Sequence, residues 1–144
     1  MGTHFTIAVD FDSTIALNAW PRITKDTVLN TVVADWIRKR QAMGDRIVLW
    51  TSRENFGGAK FPDYEYLNDA MRFCTRNRLF FAGVNRHPDE TPGDQQSEFR
   101  QYGRKICVDA YIDDRSVPFF PKSKFMWKIY LWLMDRKLKR MVVV

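Results

Sequence analysis

The stretch that decides the fold is FTIAVDFDST, residues 5–14. Its first half is apolar with little alternation, which is typical of a strand buried on both faces inside a parallel sheet. Because side chains alternate along a strand, Asp10 and Asp12 leave it on one side and Phe11 on the other. Neighbouring carboxylates repel each other unless a cation lies between them or they share a proton. Open α/β sheets bind ligands at the carboxyl ends of their strands, so we interpret the pair as a candidate site, with an Asx-type turn as the alternative.

Two further apolar runs end in polar side chains. IVLW (residues 47–50) is followed by Thr51 and Ser52, and YI (residues 111–112) is followed by Asp113 and Asp114. The carboxyl ends of parallel strands meet at one edge of a sheet, so we expect these groups to lie beside the first acid pair. A hydroxyl there can hydrogen-bond a phosphate oxygen without adding charge, although a helix cap is an equal alternative for Thr51.

The order of the apolar patterns predicts a single α/β domain over residues 1–144, with a mainly parallel sheet. Gly44 is placed to end the first helix, and Thr24 or Asp26 to cap its start. We expect Thr14 to turn back and hydrogen-bond the acid loop. The predicted elements are strands at 5–11, 46–50, 79–84 and within 106–112, and helices at 26–43, 62–78, around 97–102 and from 123 onward.

The composition is ordinary for a globular protein, with 45% apolar and 28% charged residues in 144. The first apolar run is short and carries two acids, so we expect no signal peptide, and no run approaches the roughly 20 apolar residues of a membrane span. Cys74 and Cys107 have neither metal-ligand nor redox spacing. They are expected to be buried free thiols, which favours a cytoplasmic location.

The net charge of +6 belongs to the C-terminal segment. Lys122–Arg140 contains seven cations and one acid, and the rest of the chain is balanced. The segment predicts a helix at about 123–140 that is apolar nearly all round and then basic. Three interpretations remain open: the helix packs on the sheet, it forms a homo-oligomer contact, or it binds a polyanion such as a nucleic acid or an anionic membrane surface.

The strand-end patterns resemble those of the haloacid dehalogenase-like (HAD) hydrolases. DFDST (residues 10–14) is similar to the first family motif, IVLWT (47–51) to the second, and YIDD (111–114) to the fourth. The whole pattern, with Arg104 and Lys105 shortly before the acid pair, resembles a small bacterial and phage subgroup whose phosphatase activity is mostly inferred. The resemblance implies a three-layer Rossmann-like fold. Neither connection that carries a cap domain in this family has room for one here, so we expect a capless fold with an open site.

The resemblance also implies roles for the four acids. Asp10 would attack phosphorus and form an aspartyl-phosphate, while Asp12 would protonate the leaving group and later take a proton from water. Mg²⁺ would lie between Asp10, the backbone carbonyl of Asp12, and Asp113, with Asp114 acting through water or as a support. Dehalogenases of this fold lack an acid two residues after the nucleophile, so Asp12 favours phosphate esters over halides.

The phosphate would be held by Thr51 and by backbone amides that follow Asp10, beginning at Phe11. Ser52 and Asn85, each just beyond a predicted strand end, are candidate substrate contacts. A plain loop start is at least as good an interpretation of Asn85.

The family's third motif, a Lys that steadies the phosphate charge, has no match at its usual spacing. Lys105, eight residues before Asp113, is our choice for it, with Lys60 and Arg86 as the other candidates. A surface lysine at the start of a strand is the alternative for Lys105.

The function expected from this pattern is Mg²⁺-dependent hydrolysis of a phosphomonoester. The substrate is either a small phosphorylated molecule or a nucleotide or nucleic-acid end, because an open site admits bulky molecules. The alternative from another class is a module that binds a phosphorylated or nucleic-acid partner with little turnover. Four clustered acids without a use would cost stability, which argues for the enzyme.

Overall fold

A computed structural model of the chain describes residues 4–55, 61–89, 108–115 and 121–142. Six strands and three helices lie within these ranges. In chain order they are β1 (Thr6–Asp10), β2 (Ala16–Leu17), β3 (Val28–Leu29), α1 (Thr31–Ala42), β4 (Arg46–Trp50), α2 (Tyr66–Arg76), β5 (Gly83–Val84), β6 (Ala110–Ile112) and α3 (Lys124–Met141).

The main sheet has the strand order β5-β4-β1-β6, and every pairing in it is parallel. The predicted α/β class with a mainly parallel, Rossmann-like sheet is therefore confirmed. In the register of the sheet, Asp10 lies opposite Trp50, and Val9 lies opposite Ile112. The carboxyl ends of β1, β4 and β6 therefore lie side by side, and they bring together Asp10, Thr51 and Asp113.

The main core lies on one face of the sheet. Ile7 and Val9 of β1 and Leu49 of β4 are fully buried there, and all three helices add buried side chains to the same cluster. The other face carries Ala8 and Val48 with a smaller set of neighbours. The short helix predicted around residues 97–102 lies outside the described residues.

Helices α1 and α3 are joined by a polar contact as well as by apolar packing. Trp36 Nε1 donates to Asp135 Oδ1 at 2.8 Å, and Arg40 lies 3.5 Å from the same carboxylate. Arg40 also pairs at 2.5 Å with Asp45, which accepts a hydrogen bond from the Phe5 backbone N–H. Because Arg40 and Asp45 are both buried, this pairing offsets the cost of removing their charges from water.

The predicted start of the first helix at residue 26 is wrong. Val28 and Leu29 fit helical spacing, but they pair antiparallel with Ala16 and Leu17 instead, and the Asn30 N–H donates to the Ile15 carbonyl at 2.8 Å. This small hairpin follows β1 directly, and α1 begins only after it. The helix ends as predicted, with Gly44 at a φ of +96°.

Other predicted bounds were too long. The second helix begins at Tyr66 rather than residue 62, and only Gly83–Val84 of the predicted 79–84 strand pairs with β4. The last helix was predicted correctly: Ser123 caps α3, accepting a hydrogen bond from Met126 N–H at 3.2 Å. Over the part of the chain that the structure covers, no helix is both long enough and apolar enough to cross a membrane.

Candidate active site

Three carboxylates converge at the carboxyl edge of the sheet. One oxygen from each of Asp10, Asp113 and Asp114 lies within 4.8 Å of the others. All three side chains are half-buried. The cluster forms because β1 and β6 are neighbours in register, so the residues that follow their ends face each other. The structure therefore places Asp10 beside Asp113 and Asp114, as the sequence predicted.

The cluster strongly disfavours full ionisation without a counter-charge. Burial, followed by repulsion from Asp113, Asp114 and Asp12, raises the pKa of Asp10 to about 8. Burial and the contact with Asp113 raise the pKa of Asp114 to about 6. Among the described residues, the cation in an ion pair with the cluster is Arg115, 4.0 Å from Asp114, and its side chain is 86% exposed. A mostly solvated guanidinium screens this charge weakly.

These features fit a divalent cation. Three converging carboxylate oxygens form the hard, all-oxygen donor set that suits Mg²⁺. A cation between them would also relieve the mutual repulsion that, after burial, raises the pKa of Asp10. The side chains that would hold it are Asp10, Asp113 and Asp114. The fourth acid, Asp12, points elsewhere, so only its backbone carbonyl remains available in the way the sequence analysis expected.

Asp12 forms an ion pair with Arg53. Arg53 Nε donates to Asp12 Oδ2 at 2.8 Å and Arg53 Nη2 donates to Asp12 Oδ1 at 2.7 Å. The Arg53 side chain is fully buried, whereas that of Asp12 is 24% exposed. Arg53 Nη2 also donates to the Ala19 carbonyl at 2.8 Å, and the guanidinium lies over the rings of Phe11 and Trp20. Arg53 therefore fixes Asp12 and the hairpin to the second strand end.

Sequence reasoning missed Arg53 as a site residue. Its one signal was its place two residues after Thr51, at the end of β4. Its partner lies 41 residues earlier, and nothing in the local pattern relates the two.

Thr51 lies at the centre of the site edge and is almost buried. Its backbone N–H donates to Asn85 Oδ1 at 2.7 Å, and its Oγ1 accepts from the Arg53 N–H at 3.1 Å. Among the described residues, no acceptor is recorded for the hydroxyl hydrogen of Thr51, so this group can donate to a ligand. Asn85 was predicted as a substrate contact. Its side-chain oxygen instead accepts the hydrogen bond from the Thr51 backbone. Ser52 is exposed beside them.

The loop after β1 is tightly wound around Phe11. Its carbonyl accepts from the N–H groups of three successive residues, 14 to 16, at 3.0–3.3 Å. Thr14 Oγ1 donates to Asp10 Oδ2 at 3.3 Å, as the sequence analysis expected. The Phe11 side chain is fully buried against Phe73, so any contact of Phe11 with a substrate must use its backbone.

The described residues do not identify the lysine or arginine that would serve as the third-motif cation. Lys105 and Lys60 lie outside the described residues, and Arg86 is exposed beyond β5. The assignment of Lys105 stays a prediction. Cys74 is a buried free thiol whose pKa burial raises to about 12, and Cys107 lies outside the described ranges.

The stability of the protein is predicted to depend on pH and on Mg²⁺. The pKa of Asp10 is higher in the folded protein than its ordinary value of 3.8, so the folded state holds this proton more tightly than the unfolded state does. Without metal, the free energy of unfolding should therefore fall as pH rises from about 4 to about 8. We expect added Mg²⁺ to raise Tm by roughly 5 °C or more near pH 8 and by much less near pH 5, in thermal melts with MgCl₂ or a chelator. Equal melting temperatures with and without Mg²⁺ near pH 8 would contradict the metal site.

Comparisons with known proteins bear on the fold. No protein-family model matches the chain, and no curated protein matches it either. A solved structure of a conserved protein coded by a locus of Bacteroides thetaiotaomicron is similar to it, with a TM-score of 0.66 and 29% sequence identity. The match covers 94% of this chain and 93% of that one. The two chains therefore share one α/β architecture over nearly their whole length.

Proposed function

We propose that this chain is a Mg²⁺-dependent phosphomonoester hydrolase of the HAD type, acting through an aspartyl-phosphate on Asp10. The observation that carries the proposal is the convergence of Asp10, Asp113 and Asp114 within 4.8 Å. Three ordered motifs at three strand ends meet at one edge, as a phosphoryl-transfer site requires. The acids have no buried cation as a partner among the described residues, which supports a metal-dependent reaction.

The chain's own groups supply most of the proposed chemistry. An Asp10 oxygen attacks phosphorus as the bond to the leaving oxygen breaks. A P–O bond to Asp10 thereby replaces the P–O bond to the alcohol. Asp10, Asp113 and Asp114 would hold Mg²⁺, which would neutralise charge on the phosphoryl oxygens and favour the ionised form of Asp10. The Thr51 hydroxyl and the backbone amides after Asp10 orient the phosphoryl group. Water then cleaves the aspartyl-phosphate and regenerates Asp10.

Asp12 is the proposed general acid and base, and its ion pair with Arg53 sets the orientation of its carboxylate. Both Asp12 oxygens accept hydrogen bonds from Arg53, so one oxygen must move away from its Arg53 donor before it carries the proton that Asp12 gives to the leaving alcohol. The same oxygen then takes a proton from the attacking water. Since the Asp12 side chain is partly exposed and Arg53 is fully buried, Asp12 is the partner that can move.

The same chemistry on a nucleotide or nucleic-acid end is the second enzyme candidate. Its support is the open edge of the sheet, since no inserted domain covers the acids among the described residues. The alternative of another class, a phosphate-binding module with little turnover, lacks a specific supporting observation in the structure.

A separate proposal concerns the surface of α3. Trp132 and Leu133 are about half exposed, and Arg136 lies 4.8 Å over the Trp132 ring. Exposed apolar side chains beside cations support a homo-oligomer contact or a polyanion contact by Lys122–Arg140. Gel filtration at two protein concentrations tests the first, and salt-dependent retention on nucleic acid or anionic lipid tests the second.

Replacing Asp113 with Asn is predicted to raise the Mg²⁺ concentration needed for half-maximal turnover by about tenfold or more, since one anionic ligand becomes neutral. Phosphate release from a small aryl phosphate is measured across a Mg²⁺ titration. Asp35→Asn, an exposed acid on α1, makes the same chemical change away from the site. A contaminating phosphatase would give the same Mg²⁺ dependence in all three proteins, and that result would contradict the assignment.

A further inference from the structure

A cavity of about 480 Å³ lies beside the acid cluster, between the turn after β1 and the start of α3. Ser13, which follows Asp12 directly, and Asp114 of the acid cluster both line it. Its volume lies within the range of small-molecule sites, roughly 300–1,000 Å³. If a phosphate ester bound with its phosphorus at Asp10, its alcohol group would therefore lie close to this cavity.

Asn30 also lines this cavity, and its buried side-chain amide is unpartnered. Only 1% of the residue is exposed, and neither Nδ2 nor Oδ1 has a hydrogen-bond partner among the described residues. Its backbone is fully used, with the N–H on the Ile15 carbonyl and the carbonyl accepting from Ala34. Asn30 occupies the N-cap position of α1, where Asn ordinarily caps the helix, but its side chain makes no capping bond. Buried polar groups are nearly always paired, so this amide points to a ligand that offers both a donor and an acceptor.

The residues that line the cavity also include positive charge. Lys122 and Lys124 line it and are exposed, and between them Ser123 caps the eighteen-residue α3. No acid lies in the first turn of α3, so the partial positive charge of the helix start is not neutralised locally. Among the described residues, Asp114 is the one acid that lines this cavity. Two cations and a helix N-terminus favour an anionic group.

We propose that this cavity binds the alcohol part of the substrate, and that this alcohol carries a hydroxyl and a second anionic group, either a phosphate or a carboxylate. The inference rests on the proposed phosphatase function and names its substrate class. Asn30 hydrogen-bonds the hydroxyl, which is both donor and acceptor. Lys122, Lys124 and the start of α3 bind the anionic group.

The test compares three ligands built on one three-carbon frame. Glycerol phosphate has no second anion, phosphoglycerate adds a carboxylate, and glycerol bisphosphate adds a phosphate. Their affinities for Mg²⁺-loaded Asp10→Asn protein are measured by calorimetry, because that variant keeps a ligand oxygen at position 10 and prevents turnover. We expect at least one of the anionic ligands to bind about tenfold or more tightly than glycerol phosphate, and the better of the two identifies the anion.

The preference should depend on the cavity. In a background of Lys122→Gln and Lys124→Gln, both at exposed positions, we expect the preference to fall to within about twofold. Asn30→Asp, which keeps the shape but adds repulsion, should also remove it. Lys39→Gln with Arg76→Gln, which removes the same charge from the exposed surfaces of α1 and α2, should leave it unchanged. Thermal melts establish that each variant is folded.

Equal affinity for the three ligands, or a preference that survives the Lys122 and Lys124 changes, would overturn the inference. The proposed function is tested separately by turnover of a small aryl phosphate, which carries no second anion. Turnover without an anion preference refutes the cavity proposal alone. An anion preference without turnover of either the aryl phosphate or the preferred glycerol ester by the wild-type protein refutes the phosphatase and leaves an anion-binding site.

Discussion

Asp10→Asn is expected to lower phosphate release by about 10³-fold or more, because an amide cannot attack phosphorus in place of the carboxylate. The same change should not destabilise the protein. The pKa of Asp10 is raised to about 8, so an ionised carboxylate at this position is unfavourable without metal. Replacing it with a neutral group of the same shape should therefore raise the melting temperature of the metal-free protein near pH 8.

The opposite directions of these two effects make the prediction specific. A variant that lost activity because it unfolded would lose both activity and stability. Asp35→Asn, on a side chain that is 76% exposed, serves as the matched control and should leave both unchanged. An Asp10→Asn protein with near-normal turnover would show that Asp10 is not the nucleophile.

Arg53→Met is expected to cost about 3 kcal/mol of stability, the lower end of the range for breaking a buried pair. Methionine fills much of the volume but leaves the Asp12 carboxylate and the Ala19 carbonyl without their donors. The exposure of Asp12, at 24%, lets water replace part of the lost contact. Urea and thermal unfolding should show a fall in Tm of roughly 10 °C.

A double-mutant cycle separates the ion pair from simple packing. Adding Asp12→Asn to Arg53→Met removes the unpaired carboxylate, so the double variant should be more stable than the sum of the single changes predicts, by about 1–3 kcal/mol. Arg38→Met breaks an exposed pair with Asp35 and should cost less than about 1 kcal/mol. If Arg53→Met were no more costly than Arg38→Met, the ion pair with Asp12 would not hold the site together.

The sequence predicted the edge of the sheet on which the acids meet. Buried parallel strands are continuous apolar runs, so the point where such a run stops marks the strand end and the residue that follows it. The observed register places Asp10 opposite Trp50, and Val9 opposite Ile112, which brings the predicted acids together. This part of the site depends only on local patterns and on the parallel arrangement.

The sequence did not predict the contacts that reach across the chain. Val28 and Leu29 satisfy helical spacing and strand pairing equally well, and only the tertiary pairing with Ala16 and Leu17 decides between them. Asn30 then falls at the start of α1, where its type suggests a cap that it does not form. The pairing of Arg53 with Asp12 joins two loops that are 41 residues apart, and no local pattern relates the two side chains.

The central claim is tested most directly by isolating the covalent intermediate. The protein is acid-quenched during turnover of an aryl phosphate with Mg²⁺, digested, and the peptide that contains Asp10 is examined by mass spectrometry. We predict the mass of one phosphoryl group on Asp10, removed by hydroxylamine as an acyl phosphate should be, and absent without Mg²⁺ and from the Asp10→Asn protein. Turnover that leaves Asp10 unmodified, or a phosphoryl group on another residue, would contradict the account.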